Sequence, residues 1–335
     1  MSRFVAAGAP WKHSVWHCPR RMPYTLASTH SATAQEDHAM SHLSAPLTRR
    51  TFLTTTAALA ASTLIPARSY SADAAKPNSN FGGVQVGAIT YSFRSMPNTA
   101  EDILAYLLQS GISSIELMGE PAEAFAKKHT PATGLDGPID GYEALRKLYN
   151  DAGVDIHIAK FGNIGNDDVS DAQIEYYFRA AKALGAKGIT REISEDAAKR
   201  LGPIADKHEI MIAFHNHAKI TPTSYDGTIL SYGKFLGINL DIGHYVAGTG
   251  ESPIPLIEKH HERILSFHLK DRQKNEGENM PWGEGDTPIA QVLQFVQKNK
   301  YPIYADIELE YPVPEGSDAV KEVTKCVAYC KEALT

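Results

Sequence analysis

Carboxylates and imidazoles recur at the ends of short apolar runs in this chain: Glu116, Glu192, His215-Asn216-His217, Asp241 with His244, His268, and Glu308 with Glu310. The runs themselves are mostly Val, Ile, Leu, Ala and Phe. If they are parallel strands, their ends bring these groups to one mouth. Unpaired there, the carboxylates would repel one another and lose hydration; a divalent cation relieves both problems. A mixed carboxylate–imidazole set with open positions suits Mn²⁺, Zn²⁺, Co²⁺ or Fe²⁺ better than Ca²⁺. Taken singly, a strand-end His is more often a hydrogen-bonded structural group, and a Glu a partner for a nearby Lys or Arg. Recurrence on several runs is what argues for a metal.

The elements that must position these groups alternate strand-like and helix-like patterns, as in parallel βα units. The expected strands are 84–92, 112–118, 154–160, 188–192, 210–215, 237–242, 264–269 and 303–308. Asn98 with Glu101 reads as a capping box for a helix ending at Gly111, and Ser170 with Gln173 caps another. Further helices are expected over 142–150, 195–207, 254–261, 288–298 and 318–334, and a Gly/Pro-rich loop separates strand two from the helix at 142. Eight such units over residues 81–335 match a single (β/α)₈ TIM barrel, whose active sites lie at the C-terminal strand ends. The competing doubly wound sheet would want a Gly-rich phosphate loop after strand one, where the chain instead has ITYSFRSM.

The chain has 335 residues and a formal charge of −6, with no basic block, which argues against a nucleic-acid surface. Weak acidity suits a neutral or cation-assisted ligand as well as simple solubility. Cys326 and Cys330 stand four apart in a helical pattern that rarely closes a disulfide, so both are expected as buried or half-buried thiols. Before the barrel, Arg49-Arg50 precede Phe52-Leu53, a modest apolar run from Ala57 to Ile65, and an A-x-A site at Ala72-Asp73-Ala74. This segment, 40–75, resembles a twin-arginine export signal, and its run is too short and too rich in Thr and Ala for a stable membrane span. Export to the periplasm, or otherwise outside the cytoplasm, is the expectation. Residues 1–39 show no periodicity and read as a non-native, disordered extension, with Met40 as the true start.

GISSIEL, AFHNHA, NLDIGHYVAG, FHLKDR, PWGEGDTPI and ADIELEY together resemble segments of the xylose isomerase-like barrel superfamily, the sugar phosphate isomerase/epimerase group. The resemblance covers essentially residues 81–335. It implies a metal held by a Glu, an Asp, a His and a second Glu: Asp241, His268 and Glu308 follow directly. Epimerase-type relatives place the first Glu on strand five, where this chain has His215-Asn216-His217. Members with a similar H-x-H segment use a strand-four Glu, which points to Glu192, with His215 or His217 as substrate contacts or as alternative ligands.

The implied chemistry is proton abstraction beside a carbonyl of a sugar, keto-sugar or polyol, the cation stabilising the negative charge that develops. Glu192 and Glu308 are the candidate bases. His244 would hydrogen-bond a substrate oxygen, and Lys270, two residues from His268, would stabilise charge unless it is tied up with Asp271 or a nearby Glu. Glu116 joins His215, His217, His244 and Lys270 as an expected substrate contact. Proton return gives isomerisation or epimerisation; loss of a β-substituent gives a lyase, dehydratase or keto-glycoside eliminase. An exported enzyme would meet an unphosphorylated substrate. The other readings are a non-catalytic exported sugar-binding protein and a metal-dependent nuclease, which would want more ligands and a basic rim. A homodimer is common among relatives. N-terminal sequencing of the native precursor is expected to begin at Met40; a peptide spanning Met40 would refute that start.

Overall fold

The computed structural model describes residues 76–335 apart from 131–133 and 136–138. The expected extension and export signal lie outside the described residues. Eight parallel strands are β1 Val84–Ile89, β2 Ser114–Met118, β3 Asp155–Lys160, β4 Gly188–Glu192, β5 Met211–His215, β6 Leu236–Asp241, β7 Ile264–Leu269 and β8 Tyr304–Ile307. Each pairs with the next, and β8 pairs back onto β1, closing a barrel. The chain is thus a (β/α)₈ barrel. Two short antiparallel pairs are added, 80–81 with 84–85 and 271–272 with 279–280.

The helices are α1 Ala100–Ser110, α2 Gly119–His129, α3 Asp140–Asp151, α4 Asp171–Leu184, α5 Glu195–His208, α6 Ile242–Thr249, α7 Ile254–His260, α8 Ile289–Asn299 and α9 Ala319–Leu334. Among the described residues no helix is long and apolar enough to cross a membrane. Their inner faces, such as Ile103, Leu104 and Leu107 of α1 or Val292, Leu293 and Val296 of α8, are buried against the strands. Each such side chain contributes roughly 1.5–3 kcal/mol of hydrophobic stabilisation. Side-chain caps start the helices: Ser170 accepts from Gln173 N, Ser194 from Ala197 N and Asp318 from Lys321 N.

Four details differ from expectation. Strand one ends at Ile89 rather than Ser92, and Thr90–Phe93 form a 3₁₀ turn instead. The α1 cap is Thr99, not Asn98: its hydroxyl accepts from Asp102 N and donates to the Asp102 carboxylate at 2.7 Å. The stretch after β2 is not a plain loop but contains α2. Its Gly119 and Pro121 lie in the first turn, where a missing N–H costs nothing. β6 stops at Asp241, whose side chain caps α6 directly. Cys326 and Cys330 are buried and free on α9, as the spacing implies.

The barrel interior is polar. Two-residue periodicity turns Ser114 and Glu116, Thr190 and Glu192, Asn239 and Asp241, Ser266, His268 and Lys270, and Asp306 and Glu308 inward. β3 departs from this rule. The register against β2 shifts between Ile115 and Glu116, leaving His157 as an extra residue. His157 crosses the barrel to Asp306 Oδ2 at 2.9 Å, and its Nδ1 meets Ser114 Oγ at 2.7 Å. Gly87 makes room for this pair, since a Cβ there would stand 2.2 Å from Asp306 Oδ1 and 3.1 Å from Ser114 O. Gly87→Ala is expected to lower stability by about 1–3 kcal/mol through overpacking, read as a lower urea midpoint; an unchanged midpoint would show that the pair can move aside.

Candidate metal centre

Glu116 organises the inner end of the site. It is fully buried on β2, and its Oε1 accepts from Thr190 Oγ1 at 2.6 Å. Its Oε2 accepts from Asn239 Nδ2 at 3.0 Å and pairs with His268 Nε2 at 2.9 Å. Burial alone would raise its pKa, but His268, Lys160 and Thr190 hold it at about 2. Glu116, expected from the sequence as a substrate contact, thus has both oxygens engaged by protein groups and is not among the residues lining the cleft.

With His268 Nε2 donating to Glu116, its Nδ1 turns toward the mouth, 3.0 Å from Glu308 Oε2. Asp241 divides its carboxylate in the same way. Oδ1 accepts from His244 N at 2.7 Å as the α6 cap, and Oδ2 faces inward. Lys270 is 2% exposed and sits 2.9 Å from Asp241 Oδ2 and 2.7 Å from Glu308 Oε2, while its directed hydrogen bond goes to Glu310 Oε2 at 2.6 Å. Burial opposes its charge, yet these three carboxylates raise its pKa above the usual lysine range. Its partners are thus not Asp271, which accepts backbone N–H groups instead.

Among the buried side-chain atoms of the described residues that make no directed hydrogen bond, three lie at this inner end, Asp241 Oδ2, His268 Nδ1 and Glu308 Oε2, held only by ion-pair contacts with Lys270 and with one another. Buried polar atoms are rarely left so. His215, Asp241 and His268 can each place one donor atom within 4.8 Å of the others. The donor types and the Glu116–His268 pairing fit a divalent cation, because a ligating His normally gives its other nitrogen to a carboxylate or carbonyl.

The rim is built from other elements. Glu192, at the end of β4, keeps 44% of its side chain exposed and meets Lys160 Nζ at 3.3 Å and His217 Nε2 at 3.1 Å. Although burial would raise it, His217, His215 and Lys160 lower its pKa to about 2. His217 in turn is raised by Glu192. His244 opens α6, and its Nδ1 accepts from Arg272 Nη1 at 2.6 Å, which leaves Nε2–H as a donor to the cleft. Burial, Lys270 and Arg272 lower its pKa to about 3, so it is neutral at ordinary pH. These side chains, with Tyr91, Met118 and Glu310, line a cleft of ≈ 370 Å³.

The sequence-predicted residues Glu192, His215, His217, Asp241, His244, His268, Lys270 and Glu308 therefore converge on one mouth. They do not form a single ligand cluster. Asp241 and His268 group with His215, while Glu192 groups with His215 and His217. Sequence reasoning passed over Thr190, Asn239, Lys160 and Arg272. Thr190 and Asn239 stand two residues before Glu192 and Asp241, so strand alternation alone marks them as inward. Lys160 and Arg272 carried no such signal.

Residues 104–329 match the model of the xylose isomerase-like TIM barrel family. The chain belongs to that family. No curated protein sequence matches it. Three solved structures similar to this xylose isomerase-like barrel share its fold. AsbF from Bacillus anthracis, assigned as a probable 3-DHS dehydratase of petrobactin synthesis, is 15% identical, with TM-score 0.58 over 73% of this chain and 98% of that one. A sugar phosphate isomerase/epimerase from Parabacteroides distasonis is 19% identical, with TM-score 0.53 over 74% and 95%. The IOLI protein, solved with a bound zinc atom, is 15% identical, with TM-score 0.58 over 75% and 99%.

In this family member the loop after β7 is pinned by Asp271, which accepts from Gly283 N at 2.8 Å, Gly285 N at 3.0 Å and Thr287 N at 3.1 Å. The same loop carries Arg272 and hence the orientation of His244. Asp271→Ala is expected to leave three N–H groups unpaired and to speed limited proteolysis within 273–286 at least several-fold; an unaltered digestion pattern would count against this role.

Proposed function

We propose that this protein is an exported, metal-dependent enzyme that abstracts a proton beside a carbonyl of an unphosphorylated sugar, keto-sugar or polyol, in the manner of a sugar isomerase or epimerase. The observation that carries the reading is the convergence of Asp241 Oδ2, His268 Nδ1 and Glu308 Oε2, buried polar atoms with ion-pair contacts but no directed hydrogen bond, next to a ≈ 370 Å³ cleft that Glu308 lines. Family membership and the fold shared with sugar isomerase/epimerase structures support it. The export signal-like segment at 40–75 supports the location.

Asp241, His268 and Glu308, with Glu192 or His215, would hold a divalent cation of the Mn, Zn, Co or Fe type. When bound, that cation polarises a substrate carbonyl and stabilises negative charge on its oxygen. Glu192 and Glu308 are carboxylates at cleft level, able to take a proton from the carbon next to the carbonyl and return it. His244 offers Nε2–H to a substrate oxygen in its neutral form, fixed by Arg272. Lys270 places a buried positive charge between Asp241, Glu308 and Glu310, which limits the repulsion among them.

The charge pattern favours a neutral substrate. Lys160 is matched by Glu192 and Lys270 by three carboxylates, while Arg272, whose partners Gly277 O and His244 are uncharged, is not among the residues lining the cleft. Among the described residues lining the cleft, no cation is left over for a phosphate. One feature favours a second reading, elimination. His217 is 61% exposed at the rim with its basicity raised by Glu192, a placement suited to protonating a leaving group.

Metal analysis of the purified protein, combined with solvent-deuterium exchange over keto-sugars and glycosides, tests the proposal. Asp241→Asn preserves the α6 cap but removes the charge. It and His268→Ala are each expected to lower metal-dependent exchange by more than about 100-fold. Turnover that survives both substitutions and exhaustive chelation would sink the reading.

A further inference from the structure

We infer that the fourth protein ligand in this chain is His215 rather than Glu192, so that the cation is held by His215, Asp241, His268 and Glu308, and Glu192 remains off the metal in a pair with His217. The inference rests on the metal reading above and deepens it.

The orientation of His215 is fixed by a chain of hydrogen bonds that leaves no choice of tautomer. Asn239 Nδ2 donates to Glu116 Oε2 at 3.0 Å and to Ser266 Oγ at 2.7 Å. Both partners are met by the amide nitrogen, so Asn239 Oδ1 is the acceptor that faces His215 Nδ1 at 2.8 Å. His215 Nδ1 therefore carries the proton, and Nε2 carries the lone pair. That is the arrangement found at ligating histidines, whose second nitrogen donates to an outer oxygen. His268 shows the same pattern through Glu116. Glu116 and Asn239 thus form one support that fixes which nitrogen of each imidazole faces the site.

Position and burial agree. His215 is 3% exposed, and it shares with Asp241 and His268 a cluster whose donor atoms lie within 4.8 Å of one another. That span suits one ion with ligand distances of roughly 2.0–2.2 Å. Glu192 differs on each count. It is largely at the rim, its Oε1 is engaged by Lys160 and its Oε2 by His217, and its cluster, shared with His215 and His217, contains neither Asp241 nor His268, whereas Glu308, outside both clusters, is buried with its Oε2 3.0 Å from His268 Nδ1.

The test uses the full-length protein stripped by chelation and titrated calorimetrically with Mn²⁺ and Co²⁺, in wild type, His215→Ala, Glu192→Gln and Asp241→Asn. His215→Ala is expected to weaken binding by more than about 30-fold, and Glu192→Gln by less than about three-fold. Thermal melting verifies that each variant is folded. Paramagnetic resonance of the Cu²⁺-loaded wild type needs no variant and is expected to show two directly bound imidazole nitrogens. One nitrogen, or a loss in Glu192→Gln that equals or exceeds that in His215→Ala, would overturn the assignment. A wild type that binds neither ion would instead remove the metal reading itself, and the assignment with it.

Discussion

A carboxylate buried at the centre of a barrel has no water to fall back on, and Glu116 sets the terms for everything around it. Its two oxygens draw in Thr190 from β4, Asn239 from β6 and His268 from β7, so one side chain on β2 ties four strands across the axis. Breaking one partner of such a buried, charged group costs about 3–5 kcal/mol, because the remaining charge is left uncompensated. The same hydrogen bonds decide which nitrogens point outward. The polar interior thus does two jobs with one network: it closes the barrel and it orients the donors of the mouth.

Above that network the groups divide by depth. Asp241, His268 and Glu308 lie at the inner end, with Lys270 as the balancing charge. Glu192 and His217 form an acid–base pair at the rim, and His244 is kept neutral as a donor. Charges at the inner end are screened little by solvent, whereas those at the rim are screened more. The groups pinned by buried contacts therefore sit where fields are strong, and the Glu192–His217 pair sits where water reaches it.

Most of the barrel was legible in the chain. Strand ends at Lys160, Glu192, His215 and Leu269 fall where apolar runs meet polar residues, because strands buried on both faces leave few other places for charge. The helix α2 was not legible, since Gly119 and Pro121 carry the same signal in a first helical turn as in a loop. Convergence of the eight site residues followed from topology alone. Their depth did not. Whether Glu116 contacts a ligand or supports His268 depends on how far along the axis its side chain lies, and strand shear sets that, not residue type. The inward turn of His157 was hidden for a related reason: an extra residue in β3 breaks the two-residue rhythm, and nothing in DIHIAK announces it.

Asp241 is a single side chain that serves two masters. Its Oδ1 is the cap of α6 and its Oδ2 belongs to the site, and α6 in turn carries His244. A pull on one oxygen is felt by the other through a rigid carboxylate roughly two ångströms across, of the order of a bond-angle span. The position of Asp241 Oδ2 and the pose of the first helical turn are therefore joined by one short rigid group, which makes this helix start a link between the floor of the cleft and the wall that carries His244.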